Sequence, residues 1–270
     1  MITDSERNSR YKPDKERLDI LLYSRGLAES RERAKALILS GAVIVDGKKV
    51  DKAGLRVEID AGIVVKKKAF PYVSRGGCKL EWALKTFCIE VTGMVAIDVG
   101  ASTGGFTDCL LQKGAEKVYA VDVGYGQLDW RLRQDKRVIV IERQNIRTLS
   151  EDLIPDRMDL ATVDVSFISL EKVIPCILPF LNAGAVLIPL VKPQFEVGKG
   201  EVGKGGIVRS PEKRQKVLDR ICGEAAAWGL ELLGTTPSPI LGQKGNAEFL
   251  VYFKKIGTKV TKTRLEMTQT

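Results

Sequence analysis

Histidine is absent from all 270 residues. That absence removes Ser-His-Asp hydrolysis, imidazole general bases and histidine-ligated metal sites together. Any proton transfer falls instead to Lys, Asp, Glu, Tyr or Cys. The five cysteines, Cys78, Cys88, Cys109, Cys176 and Cys222, are odd in number and none sits in a CxxC pair. A disulfide framework, a zinc knuckle and a cysteine-ligated iron–sulfur cluster are therefore not expected, and no metal is called for. No run approaches the ~20 consecutive apolar residues of a membrane span. The opening MITDSERNSRYKPDKER is polar and holds no apolar stretch for a secretory signal. A cytoplasmic protein with no membrane association is the expectation.

What is present is a globular composition, 44% hydrophobic and 29% charged, on a chain long enough for one large and one small domain. The formal charge is +9 and the pI about 9.3, a balance that favours a polyanionic partner. The excess is uneven, because residues 1–68 hold 16 Lys/Arg against 11 Asp/Glu. A basic N-terminal module follows from that skew.

Within KERLDILLYSRGLAESRERAKALILSGAVIVDGKKV, Leu18, Leu21 and Leu22 form one helical stripe that Gly26 can close in a left-handed conformation. Ser30 is placed to cap a second helix with Ala34, Leu37 and Ile38 inward, and Gly41 ends it. AVIVDGKKV then alternates as a hairpin turning at Asp46-Gly47. Two short helices and a hairpin with these spacings resemble the S4 RNA-binding domain. The resemblance implies that Arg17, Arg25, Arg31, Arg33, Lys35, Lys48 and Lys49 grip RNA. The expected organisation is an S4-like module over 1–67 with a polar N-terminal tail, a linker over 68–75, a larger domain over 76–256 and a polar tail over 257–270.

From Gly76 onward strands alternate with helices. VAIDVG, KVYAVDVG, VIVIERQN, MDLATVDVS and AVLIPLVK are continuous apolar strands, as parallel strands covered on both faces are. Helices are expected over GGFTDCLLQKG, LDWRLRQD, 170–181 and 211–229. LELLGTTPSP and EFLVYFKK have no helix between them and predict an antiparallel hairpin at one sheet edge. The fold class is α/β, a Rossmann-like sheet with a small α+β module ahead of it.

DVGASTGGF lies at the first strand–helix turn, where glycine permits a tight turn and close approach to a ligand. It lacks the third glycine of a dinucleotide site and resembles the turn of S-adenosylmethionine methyltransferases. Asp98, Gly100, Ser102, Thr103, Gly104, Gly105 and Phe106 are the candidate cofactor residues. Asp122, followed by Val123, ends the second strand where an acid can accept ribose hydroxyls. GKGEVGKG (198–205) approaches a phosphate-binding GxxxxGK loop, but glycine follows the lysine and no strand–helix context surrounds it. It reads better as a basic loop over the active site.

The fourth strand ends at Asp164 in VDVSF. The Asn/Asp-Pro-Pro-aromatic cluster of amine methylation is absent, and Cys176, the one Pro-Cys pair, is predicted mid-helix and inward, unsuited to a cytosine C5 nucleophile. Oxygen methylation remains. A ribose hydroxyl needs help losing its proton, and Lys192, closing the fifth strand in LVKPQFE, is the natural candidate, with Asp164 beside it.

SRGGCKL, DVGASTGGF, VDVGYGQL, VDVSFISL, LVKPQFEVGKG and GNAEF together resemble the TlyA family of ribosomal RNA methyltransferases, often labelled hemolysins and related to FtsJ-like 2′-O-methyltransferases. The resemblance implies a Lys-Asp-Lys-Glu tetrad at Lys79, Asp164, Lys192 and Glu248, with Asp164 also at the cofactor. Lys192 would act on the 2′-hydroxyl, the carboxylates would orient the lysines and Lys79 would position the ribose. It further implies S-adenosylmethionine as cofactor, ribosomal RNA or ribosomal subunits as partner and cytidine as target. A membrane-active hemolysin and a non-catalytic RNA-binding scaffold are the rival readings. Vesicle leakage and cofactor binding respectively discriminate them.

Overall fold

The structure is a computed structural model that describes residues 14–28, 30–39, 41–65, 71–198 and 200–257. The chain divides into two compact units, residues 1–69 and 70–270.

In the first unit, β1 (Lys15–Arg17) leads into α1 (Leu18–Ser24), followed by α2 (Arg31–Leu39), β2 (Val43–Val45), β3 (Lys48–Val50), β4 (Arg56–Glu58) and β5 (Ile63–Val65). The Ser30 hydroxyl accepts from Arg33 N at 3.0 Å, the N-cap its position promised. Asp46 and Gly47 both take positive φ, as the two-residue turn between β2 and β3 requires. Leu18, Leu21, Leu22, Ala34 and Ile38 meet in the core. The expected hairpin is only part of the β structure: β5 also pairs with β2, and β1 pairs with β4. Three-residue strands carry too little alternation to be legible beforehand. Residues 66–70, which include the first three of the expected linker, lie outside the described residues, as do both expected tails apart from Asp14 and residue 257.

The second unit contains α3 (Gly76–Thr86), β6 (Val95–Val99), α4 (Gly105–Gln112), β7 (Lys117–Asp122), α5 (Trp130–Gln134), β8 (Val138–Glu142), β9 (Met158–Val163), α6 (Ile174–Ile177), β10 (Leu181–Val191), α7 (Pro193–Glu196), α8 (Pro211–Gly223), β11 (Leu230–Pro237) and β12 (Phe249–Lys255). Its sheet runs β11-β12-β10-β9-β6-β7-β8. The five strands from β10 to β8 are parallel, and β12 is antiparallel to both β10 and β11. Apolar cores lie on both faces, which is why the parallel strands read as unbroken apolar runs. This is the α/β sheet with an antiparallel edge hairpin that the chain's patterning predicts. Ligands bind such sheets at the carboxyl ends of the parallel strands.

Two helices differ from expectation. The run 170–181 breaks into a 3₁₀ turn, the single turn of α6 and a second 3₁₀ turn, and Leu181 already belongs to β10. Pro179 supplies no backbone N–H to continue the helix and limits it to one turn, whereas Pro175 sits in the first turn, where proline is tolerated. Cys176 consequently does not point into the core. It is half-buried, and its thiol donates to the Lys172 carbonyl at 3.5 Å. α8 stops at Gly223, and the chain turns through Gly229 at positive φ into β11.

Candidate active site

The glycine turn connects β6 to α4. Gly100 has φ +85°, and a Cβ there would lie 2.7 Å from the Asp164 backbone oxygen; one on Gly105 would lie 2.2 Å from Ser74 Oγ. The clearance these glycines provide is taken up by the protein's own chain, which draws the ends of β6, β9 and α3 together.

Asp98 stands behind this turn rather than in the cleft. It is fully buried, and its carboxylate accepts from Thr107 N (2.9 Å), Thr107 Oγ1 (2.7 Å) and Thr162 Oγ1 (2.9 Å). It therefore fastens the start of α4 to β6 and β9 instead of reaching a ligand. Burial pushes its carboxyl up to about 6, against those hydrogen bonds and with a smaller contribution from Asp164. A folded-state value above the unfolded one means that this group's stabilisation is present in acid and lost as pH rises through about 6. From pH 4 to pH 7 the parent is expected to lose up to about 3 kcal/mol that Asp98→Asn does not. Urea midpoints of both proteins at the two pH values measure this, and parallel pH dependence would rule it out.

Asp122 ends β7 with one carboxylate oxygen on Ser102 N (2.8 Å) and the other on Gly124 N (2.7 Å). Each oxygen retains a further lone pair for a ligand hydroxyl. Ser102 itself takes φ +50°. Asp122, the exposed Val123, Gln144, Asn145 and Phe167 line a cleft of about 840 Å³, and Ser74, Lys79, Thr103, Phe106, Lys192 and Glu248 are among those lining a second of about 400 Å³. Gly100, Ser102, Asp164, Ser166 and Phe195 border both, so the two form one crevice along the carboxyl edge of the sheet, with Asp164 at its middle.

Two ion pairs occupy the second half. Lys79 Nζ is 2.5 Å from Glu248 Oε2, both side chains being almost wholly buried. Lys192 Nζ is 2.7 Å from Asp164 Oδ1 and donates to Val165 O (2.9 Å) and Ser166 Oγ (3.1 Å). Lys192 Nζ is the one partner recorded for Asp164 Oδ1 among the described residues. The four residues implied as a tetrad thus stand as two charge-balanced pairs on one cleft, brought there from α3, from the ends of β9 and β10 and from the approach to β12.

The glycine-rich loop ends beside them: Asn246 donates to Gly206 O at 2.9 Å and accepts from Val208 N at 3.1 Å, two residues before Glu248. Ser74, Arg75, Gln144, Asn145, Ser166 and Gln194 were missed in the sequence. Gln144-Asn145, Ser166 and Gln194 follow the ends of β8, β9 and β10, so their carboxyl-edge position was the available signal. Phe167 is 90% exposed with φ +64°, and its ring packs 4.9 Å from that of Phe195.

A family model described as FtsJ-like methyltransferase matches residues 72–255, the whole span from the segment before α3 to the end of β12. The chain is a methyltransferase of the FtsJ-like family. An S4 domain model matches residues 16–63 of the same chain. The Mycobacterium tuberculosis 16S/23S rRNA (cytidine-2′-O)-methyltransferase TlyA is 45% identical over 88% of this chain and 89% of its own length. Hemolysin A of Brachyspira hyodysenteriae is 44% identical over 88% and 99%. A solved Streptococcus thermophilus structure that carries a hemolysin label is 44% identical, covers 90% of this chain and 89% of its own, and superposes with a TM-score of 0.69. Together these make the chain a TlyA-type member of the FtsJ-like family. No helix among its described residues is long and apolar enough to cross a membrane.

In the S4 unit the basic residues divide. Arg17 and Arg31 flank the buried Asp19, at 3.0 and 3.6 Å, and Arg25 donates to the carbonyls of Ile59 and Ala61. Lys35, Lys48 and Lys49 are exposed, and Arg33 is half-exposed.

Proposed function

We propose that this protein is an S-adenosylmethionine-dependent methyltransferase that modifies the ribose 2′-hydroxyl of a cytidine in ribosomal RNA, in the cytoplasm. The observation that carries the reading is the two lysine–carboxylate couples, one buried and one half-buried, that share one cleft with the glycine turn. The likeness to an rRNA (cytidine-2′-O)-methyltransferase over nearly the full length supports it.

The crevice fits the cofactor's chemistry. Asp122 retains lone pairs for ribose hydroxyls at one end, Gln144 and Asn145 can meet a nucleobase edge, and the Asp164 carboxylate at the middle, paired with Lys192, borders both halves. S-adenosylmethionine supplies an electrophilic methyl group on a sulfonium. Lys192 Nζ, having first released its own proton to solvent, takes the proton of the 2′-hydroxyl as its oxygen is methylated, a job that needs a positioned base because the hydroxyl's own acidity is far too weak at neutral pH. Asp164, Val165 O and Ser166 Oγ hold Nζ in place. Lys79, oriented by Glu248, donates to the ribose. Lys35, Lys48, Lys49 and Arg33 supply phosphate contacts from the S4 unit, whereas Arg17, Arg25 and Arg31 serve that unit's own structure first.

Transfer of labelled methyl to unmodified ribosomal subunits, followed by alkaline hydrolysis, tests the reaction. A methylated 2′-oxygen cannot attack its neighbouring phosphate, so the label is expected in an alkali-resistant dinucleotide. Label released in mononucleotides would mean base methylation and discard the proposal. Absence of label would favour a binding scaffold.

A further inference from the structure

Gln194 lies two residues beyond Lys192, in the single turn of α7, and lines the same cleft. Its amide oxygen Oε1 is enclosed, yet no hydrogen bond reaches it. A buried acceptor without a donor is destabilising, and buried polar groups in folded proteins are as a rule paired. One left open at the wall of an active-site cleft is set for a donor that arrives with a ligand.

The sheet order shows which ligand. The glycine turn and Asp122 follow β6 and β7, whereas Lys192 and Gln194 follow β10 and Glu248 precedes β12, on the opposite side of Asp164. Gln194 therefore belongs to the methyl-acceptor end of the crevice. A nucleotide within an RNA chain offers two kinds of donor there, the 2′-hydroxyl and the N–H groups of its base. On the reading proposed above, on which this inference rests, the hydroxyl proton goes to Lys192. The base is what remains for Gln194.

The geometry points to Gln194 as a specificity residue: Oε1 accepts from the exocyclic amine of the target cytosine while Nε2 donates to its ring nitrogen N3. An amide side chain reads an adjacent amine and ring nitrogen in this way on adenine, and cytosine presents the same donor–acceptor order. Uracil reverses both groups, so the amide must turn over to pair with it, which puts Nε2 in the enclosed place of Oε1. Discrimination of roughly 5- to 150-fold is expected from one such two-point contact.

The test uses the full-length protein. The methylated position is first mapped with the parent enzyme, and RNA carrying either cytidine or uridine at that position is then offered to the parent and to Gln194→Leu and Gln194→Met. Both variants remove an unpaired buried acceptor, so their thermal midpoints are expected to equal or exceed the parent's. The parent should favour cytidine in kcat/KM, and both variants should lose roughly 5- to 150-fold on cytidine with little change on uridine. The preference then collapses while affinity for S-adenosylmethionine is retained. An unchanged cytidine-to-uridine ratio overturns the inference. Weakened cofactor binding with the ratio intact also overturns it and assigns Oε1 to the cofactor's ammonium. A parent that places no methyl on ribose overturns the function proposed above, and this inference with it.

Discussion

Replacing Lys192 with alanine is expected to lower single-turnover methyl transfer by about 10²- to 10⁴-fold, the range a positioned proton acceptor contributes. Affinity for S-adenosylmethionine should change little, because Asp122 and the glycine turn are untouched. Lys192→Arg separates two roles. A guanidinium keeps a positive charge 2.7 Å from Asp164 but does not give up its proton near neutrality. If Nζ acts as the base, arginine should fall within about tenfold of alanine, near the lower end of the range for a lost base. An arginine enzyme with most of the parent's rate would show that Nζ acts by charge alone. Cofactor affinity by calorimetry and single-turnover rates on ribosomal subunits decide between these outcomes.

Breaking the Lys79–Glu248 pair should be felt in stability as well as catalysis. Both side chains are nearly inaccessible, at 7% and 2%, so Glu248→Leu leaves an ammonium buried beside no counter-charge. Loss of one partner of a buried pair costs about 3–5 kcal/mol, which in a domain of this size lowers the thermal midpoint by about 6–20 °C. The double variant Lys79→Met, Glu248→Leu removes both charges and should recover most of that loss, since a buried pair replaced by apolar groups is often neutral. It should remain inactive, because nothing is left to donate to the ribose. A thermal melt of the two single variants and the double variant measures the coupling. Additive losses, with no recovery in the double, would mean that the two residues contribute independently. Recovered activity in the double would remove the pair from the chemistry altogether.

The elements that position the site are legible in the chain because their signals are local. Unbroken apolar runs such as VAIDV and LATV mark strands covered on both faces, and DVGASTGGF marks the strand–helix turn by spacing alone. Strand-end positions nominate Asp122, Asp164 and Lys192, since the carboxyl edge is where such sheets bind ligands. Ser30 as a cap and Asp46-Gly47 as a turn are equally local, and each has the geometry its residue type demands. Local patterning failed where Pro179 interrupts an otherwise apolar run at 170–181, and where strands of three residues carry too little alternation to be seen.

Everything that depends on residues far apart in the chain waited for the tertiary structure. Lys79 and Glu248 are 169 positions apart, and no periodicity relates them; closure of the sheet, which inserts β12 beside β10, makes them partners. Asp98 belongs by motif to the cofactor turn, yet Thr107 and Thr162 take up its carboxylate and turn it into an internal brace. Composition likewise gathers Arg17, Arg25 and Arg31 with the other basic residues of the S4 unit, whereas packing turns them toward Asp19 and nearby carbonyls. The unpaired oxygen of Gln194 is visible only once every neighbouring donor has a place. The sequence by itself determined the scaffold and nominated the strand-end chemistry, because periodicity and turn geometry act over a few residues. Partnership, orientation and the acceptors left open to a ligand were decided by the tertiary structure, because they are properties of enclosure.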